Sequence, residues 1–329
     1  MATYLGIDVG TSGTKTLLMD ARARVLATAT ASHGLSTPKP GWSEQDPDEW
    51  WSATVQATRA VLRKAKVRGS QVSAVSFSGQ MHGLVVTDGA GKVLRPSIIW
   101  NDARTAPQAA YIERRVGGRD KLIELTGNPA LVSYTLTKLL WVREHEPKIY
   151  GRIRHFLLPK DYIRLKLTGE YVGDVSDMSG TLLLDPRTRD WSKPMLDAFG
   201  IDRGILPPVV ESHAPTGTVT KEAAALLGIA PGTLVFGGGG DQPVGAVGNG
   251  VVAEGLISAT IGTSGVVFVH SKDCRPDPEG RINTYCASVP GEYCMFGCIL
   301  STGGCFQWFR NTLGAAEAAE AKKRKCDPY

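Results

Sequence analysis

The chain has 329 residues, 42% of them hydrophobic and 21% charged, which excludes disorder and puts the length where a single core tends to split into two domains. Its 37 Lys+Arg against 32 Asp+Glu leave a net +5 that is spread along the sequence apart from Lys322-Lys-Arg-Lys325, so nucleic acid is not an expected partner. The longest apolar stretches, such as Thr233 to Phe236 and Leu256 to Ile261, fall far short of the roughly 20 residues that span a bilayer; with no secretory leader before the first strand, a cytoplasmic protein without a membrane partner is expected.

In chain order, Tyr4 to Val9 reads as an apolar strand, Gly10-Thr-Ser-Gly13 as a turn, Thr14 to Met19 as a second strand and Arg24 to Thr30 as an alternating third, together a meander. Asp46-Pro47-Asp48-Glu49 supplies an N-cap, a proline at the first helical position and an acid three residues past the cap, opening a helix over Trp50 to Lys66. Val72 to Phe77 is a buried strand feeding Ser78-Gly-Gln-Met-His-Gly83, and strand and turn continue to Trp100. Residues 104 to 228 are expected to be mostly helical, most clearly over Thr135 to Glu146 and Lys160 to Leu167, as an insertion around a cleft. Leu234-Val-Phe then runs into Gly237-Gly-Gly-Gly-Asp241 and a helix from Pro243, after which Leu256 to Ile261 and Val266 to Val269 flank Gly262-Thr-Ser-Gly265. This alternation makes the class α/β, with a first domain over 1–249 and a second over 250–329.

The six cysteines, at 274, 286, 294, 298, 305 and 326, cluster late. No Cys-x-x-Cys pair occurs and no histidine falls between the first and last of them, so buried reduced thiols are expected rather than a metal site or disulfides.

Gly-Thr-Ser-Gly between two strands offers backbone N–H groups and two hydroxyls to an anion, with glycines that tolerate positive φ. A plain β-turn uses the same residues; the recurrence of the tetrapeptide in the same context at 10–13 and 262–265 favours the anion. Asp8 ends the strand before the first loop, where a carboxylate among phosphates needs a cation such as Mg²⁺ bound through water, an Asx-turn being the alternative. The Gly-x-x-x-x-Gly-Lys-Ser/Thr and Gly-x-Gly-x-x-Gly phosphate signatures are absent. The four glycines before Asp241 would let a substrate approach one carboxylate, although helix capping explains that position equally. Gln80, Met81 and His82 after one strand, and Asn101 and Asp102 between Trp100 and Arg104 after another, offer the mixed donors and acceptors a polyol needs; a structural histidine is the alternative for His82.

Asp8-Val-Gly-Thr-Ser-Gly-Thr-Lys15, Trp42-Ser-Glu-Gln-Asp-Pro47, Gly79-Gln-Met-His-Gly83, Ile99-Trp-Asn-Asp102, Leu158-Pro-Lys-Asp-Tyr162, Gly237-Gly-Gly-Gly-Asp241 and Ile261-Gly-Thr-Ser-Gly265 together resemble, in order and over nearly the whole chain, the FGGY carbohydrate kinases. The resemblance implies two actin-like, ribonuclease-H-like domains, the first complete and the second partial, with ATP in the cleft between them. By matching position, Asp241 would be the catalytic base, with Gln80, Met81, His82, Asn101, Asp102 and Gln242 contacting the sugar. Asp8 would serve Mg²⁺, and Gly10, Thr11, Ser12, Gly13, Lys15, Gly262, Thr263, Ser264 and Gly265 the phosphates. The implied reaction is ATP-dependent phosphorylation of the terminal hydroxyl of a sugar, D-xylulose foremost, with gluconate, ribulose or glycerol as alternatives. A carboxylate of ordinary pKa, about 4, would orient that hydroxyl and accept its proton late rather than deprotonate it in advance. The implied partners are a small-molecule sugar and ATP, and a homodimer remains open. The glycine-rich adenosine-binding segment that the resemblance leads one to expect does not occur before Tyr329, so a sugar-binding protein without catalysis is the competing expectation.

Overall fold

The computed structural model describes residues 2–262, 264–299 and 301–327. Strands β1 (Thr3–Val9), β2 (Gly13–Asp20) and β3 (Val25–Ser32) form the expected antiparallel meander. Alternation along β1 turns Leu5, Ile7 and Val9 into the core. On its other side β1 pairs in parallel with Val72–Gly79, which pairs in parallel with Leu234–Phe236 and, further along, with Gly239–Gly240; Pro215–Thr218 closes the sheet antiparallel to Leu234–Phe236. Parallel neighbours therefore end on one edge, the edge at which open α/β sheets bind ligands.

Helix α1 (Pro47–Ala65) starts as its sequence dictates, the Asp46 carboxylate accepting the Asp48 N–H at 2.9 Å. Trp50, Ala53, Ala57 and Val61 recur at helical spacing and are buried, and the Thr16 hydroxyl of β2 donates to the Ala57 carbonyl at 2.9 Å. Burying Trp50 alone contributes about 3 kcal/mol.

The stretch from 104 to 228 is more than an insertion. Helices Pro159–Thr168 and Lys221–Leu227 pack Ile163, Leu167 and Leu227 into the same core as β1 and α1, and Pro215–Thr218 is the edge strand of the sheet itself. Short β segments carry too little apolar periodicity to be separated from loops by sequence. A second core joins the helices Ala106–Val116, Thr135–His145 and Lys193–Phe199, through Ile112, Leu139 and Met195, to Phe268, Tyr285 and Phe296. Those last three belong to a separate antiparallel sheet in the order Ile257–Ile261, Gly265–Ser271, Tyr293–Ile299, Asn283–Cys286, followed by helices Gly303–Thr312 and Ala315–Arg324.

All six cysteines are free, as expected, but only Cys286 and Cys294 are buried; Cys274 is half-buried and Cys298, Cys305 and Cys326 are exposed. The expectation of buried thiols fails where the chain is locally uncovered: the helix carrying Cys305 has no buried residue among those described. Among the described residues no helix is long and apolar enough to cross a membrane.

Candidate active site

Three neighbouring parallel segments deliver the chemistry to one edge. Register places Asp8 of β1 beside Ser78, and Ser78 beside Gly239, one residue short of Gly240 and the helix Asp241–Gly248. The Ser78 hydroxyl donates to Asp8 at 2.8 Å. Asp241, the first residue of its helix, begins two positions earlier than the proline from which a helix was expected. Burial, and then the charge of Asp8, push the Asp241 carboxyl up to about 7, against the pull of the Gln242 backbone N–H and side chain. This corrects the expectation of an ordinary carboxylate: a group titrating near neutral pH is matched to accepting a proton there. Asp241 also lies within electrostatic reach of Cys298, whose strand pairs it with Val266, next to the second Gly-Thr-Ser-Gly. The acid thus stands between the two sheets.

In the two hairpins Gly13 and Gly265 act through space rather than through backbone freedom. Gly10, Gly13, Gly262 and Gly265 are absent from the left-handed region, contrary to expectation. A Cβ on Gly13 would stand 2.6 Å from the Ala31 carbonyl, and one on Gly265 2.5 Å from the Thr302 hydroxyl. The four glycines before Asp241 are likewise filled by protein. A Cβ on Gly238, which does have φ +65°, would lie 2.4 Å from the Phe77 carbonyl, and one on Gly240 2.8 Å from the Met81 side chain. Close packing against the Phe77 strand, Ser212, Ser176 and Met81, rather than room for a substrate, accounts for this run.

In the first hairpin, Gly10 N–H donates to the Gly13 carbonyl at 3.1 Å. The Thr11 hydroxyl accepts from Trp100 Nε1 at 2.9 Å and donates to Gln80 Oε1 at 3.4 Å. Ser12 stands exposed at the tip, and Lys15, exposed on β2, is the cross-strand neighbour of Asp8. In the second hairpin Gly262 N–H donates to the Ser264 carbonyl at 2.8 Å; Thr263 lies outside the described residues.

Met81 is buried against Gly240. His82 adopts φ 69°, and its Nδ1 lies 3.0 Å from the Gly180 carbonyl. Burial, reinforced by the charge of Lys138, pushes its pKa down to about 3. A neutral ring whose Nδ1–H must donate to a carbonyl leaves Nε2 as an acceptor for a hydroxyl. Gln80 spends its amide on the Gly10 carbonyl at 3.3 Å and Gln45 Oε1 at 2.8 Å. Asp102 is buried, accepting from Ser43 N–H at 2.6 Å and from the Arg104 guanidinium at 2.7–3.0 Å, whereas Asn101 is exposed on the turn before it.

Sequence reasoning left Gln45 and Trp100 without roles. Gln45 Nε2 donates to the Thr11 carbonyl at 2.7 Å and to the Gly34 carbonyl at 3.0 Å, while Gln45 Oε1 accepts from Trp50 Nε1 at 3.2 Å. It ties the first hairpin to the Gln80-Met-His loop. Its place in the Trp42-Ser-Glu-Gln-Asp-Pro47 motif was the only available signal.

With this arrangement in view, residues 3–248 match the N-terminal domain model of the FGGY family of carbohydrate kinases. The chain belongs to the FGGY family of carbohydrate kinases. The xylulose kinase of Escherichia coli (strain K12) is 40% identical over 311 residues, covering 94% of this FGGY chain and 63% of its own length. That of Bacillus subtilis (strain 168) is 37% identical over 320 residues, covering 97% and 64%. The crystal structure of xylulose kinase from Rhodospirillum rubrum matches with a TM-score of 0.91 at 31% identity, covering 97% of this chain and 65% of that one. The FGGY chain therefore spans somewhat under two thirds of the length of these relatives, and its α/β architecture is the actin-like fold of such kinases.

Proposed function

We propose that this chain acts in the ATP-dependent phosphorylation of D-xylulose at its terminal hydroxyl. The observation that carries the reading is the Asp8–Asp241 pair on one sheet edge, with Asp241 pushed up to about 7 and within electrostatic reach of Cys298 on the second sheet. In this reading Asp241 orients the hydroxyl and takes its proton as the sugar oxygen–phosphorus bond forms and the bond from the γ-phosphorus to the bridging oxygen breaks, leaving ADP. Met81 gives the sugar an apolar wall, His82 Nε2 accepts one of its hydroxyls, and Asn101, Gln242 and the edge holding Asp102 and Gln80 complete the pocket. Ser12, the backbone of both hairpins and Lys15 serve the phosphates. The boundary between the sugar-holding domain and the second domain falls at 249/250. The two curated relatives described above, 40% and 37% identical, carry the name xylulose kinase, which supports D-xylulose over gluconate, ribulose or glycerol.

Mg²⁺ fits this edge. Two carboxylates that repel each other are a donor set that a divalent cation relieves, and Mg²⁺ commonly uses one or two carboxylates beside water and phosphate oxygens. Asp8, held at its strand end by the Ser78 hydroxyl at 2.8 Å, would be its main protein ligand. When bound, the ion would neutralise charge on the phosphates.

Calorimetric titration with D-xylulose and with ATP, together with a coupled ADP assay over a sugar panel, tests the reading. D-xylulose is expected to bind and to be phosphorylated in preference to the other sugars, and Asp241→Ala to abolish ADP formation while sugar binding persists. Near-normal turnover by D241A removes the base. Sugar binding without nucleotide binding is the second reading, favoured by bare apolar residues flanking the second hairpin, Ile261 at 79% and Ile299 at 63% exposed.

A further inference from the structure

The four glycines have no side chains with which to anchor themselves, so the direction in which they hand the chain to Asp241 is set by their neighbours. Gly237 N–H donates to the Ala214 carbonyl at 2.9 Å and Gly238 N–H to the Ser212 carbonyl at 2.8 Å, and Arg164 donates to the Gly237 carbonyl. The last contact before the acid is Gly240 N–H to Ser176 Oγ at 3.3 Å. Ser176 belongs to the short helix Val175–Met178, capped by Asp174.

The direction of the hydrogen bonds around Ser176 follows from donor arithmetic. Asp174 Oδ2 accepts the Ser176 N–H at 2.9 Å, the Ser176 hydroxyl at 2.6 Å and the Ser212 hydroxyl at 3.0 Å, while Asp174 Oδ1 lies 2.7 Å from Lys160 Nζ. An ionised carboxylate only accepts, so it claims the single Ser176 proton. Both lone pairs of Ser176 Oγ are then left for Gly240 N–H and for the Ser288 hydroxyl at 3.3 Å. Asp174, Ser176 and Lys160 are all buried, and Lys160 is held by Asp161 and Asp177 as well. The fit is tight: a Cβ on Gly239 would stand 2.5 Å from Ser176 Oγ and 2.6 Å from Ser288 Oγ.

We propose that Ser176, oriented by the Lys160–Asp174 pair, is a positioning residue for Asp241, clamping Gly240 and linking the acid to the Ser288 segment of the second sheet region. This rests on the reading of Asp241 as the base. Without the hydroxyl the Gly240 amide loses its acceptor, the segment opens more often, and Asp241 strays from the sugar hydroxyl while the rest of the pocket stays formed.

Hydrogen exchange and kinetics on the full chain test it together. In Ser176→Ala the Gly240 amide is expected to exchange about tenfold faster, with amides of Val75 and Phe77 and the Tm little changed. Sugar-dependent kcat is expected to fall about tenfold with the sugar KM within about twofold. Unchanged protection at Gly240 overturns the clamp whatever the activity, and a raised KM with unchanged kcat overturns the positioning role. Full turnover by Asp241→Asn instead overturns the reading of the base, an outcome distinct from failure of the clamp because the exchange measurement does not depend on turnover.

Discussion

The two sheets differ in how much of themselves they bury. In the first, β1 and Val72–Gly79 are covered by α1 and by Pro159–Thr168 and Lys221–Leu227, with Leu5, Ile7, Val75 and Phe77 at most 2% exposed. In the second, Asn283–Cys286 is almost wholly buried, whereas every residue of Ile257–Ile261 is exposed or half-exposed. The buried strand is held by the first region. Asn128 Nδ2 donates to the Thr284 carbonyl and Asn128 Oδ1 accepts the Thr284 N–H, each at 2.9 Å, so one side chain stands in for a neighbouring strand. Tyr134 OH donates to Asn283 Oδ1 at 2.6 Å, and Cys286 N–H to Ser179 Oγ at 3.1 Å. The second sheet is thus ordered from the side that touches the first, and its far strand contributes little burial.

The sharpest break in that comparison is at Lys160, whose ammonium lies 2.6, 2.7 and 3.3 Å from the fully buried Asp161, Asp174 and Asp177. Lys160→Met leaves three carboxylates with only Arg164 beside them, and is expected to cost about 3–5 kcal/mol in denaturant unfolding. Asn128→Ala strands the Thr284 backbone pair and is expected to cost about 1–3 kcal/mol, with hydrogen exchange accelerating over 283–286 and not over 72–79. Equal acceleration in both sheets would show that they open as one unit.

A third effect depends on pH. Because Asp241 is pushed up to about 7 from 3.8, folding is favoured by its protonation, and this contribution is lost as pH rises through about 7. At pH 8 and without Mg²⁺, Asp241→Asn is therefore expected to be more stable than the parent by about 1–2 kcal/mol, after discounting for partial exposure. The gap should close toward pH 4, and Mg²⁺ should narrow it at pH 8 only while Asp8 is present, which thermal melts of D241N and D8N would show. The smallest effect is expected at the bare edge: Ile257→Ser, at a side chain 62% exposed, should change stability by no more than about 0.5 kcal/mol. A larger loss would mean that this strand is covered in solution.

Much of the first region was legible because local rules and tertiary needs agreed there. The Asp46 cap, the meander and the strand before Ser78 each carry a strong local signal, and each formed within a residue or two of its expected place. The Pro215–Thr218 edge strand and the Asp241 start of its helix were hidden, since neither has the length or periodicity to announce itself. The site divided in the same way. Asp8, Asp241, Met81 and His82 stood out as chemistry after strands, but Gln45 and Ser176 act through partners far along the chain, and Lys160 acts through carboxylates that only the fold gathers around it. The motifs holding Gln45 and Lys160 could be seen while their contacts could not, and Ser176 lay in no motif at all.

By itself the sequence determined the residue types, the strand ends on which they sit and the family to which the chain belongs, because strand alternation, capping and the ordered motifs are all local properties. Tertiary structure alone decided that Asp241 is pushed up to about 7, that the glycine run is filled by Phe77, Ser176 and Met81, and that three late cysteines are exposed. Each of these depends on burial, or on charges and atoms brought close by strand pairing, and such proximity has no counterpart in the order of residues.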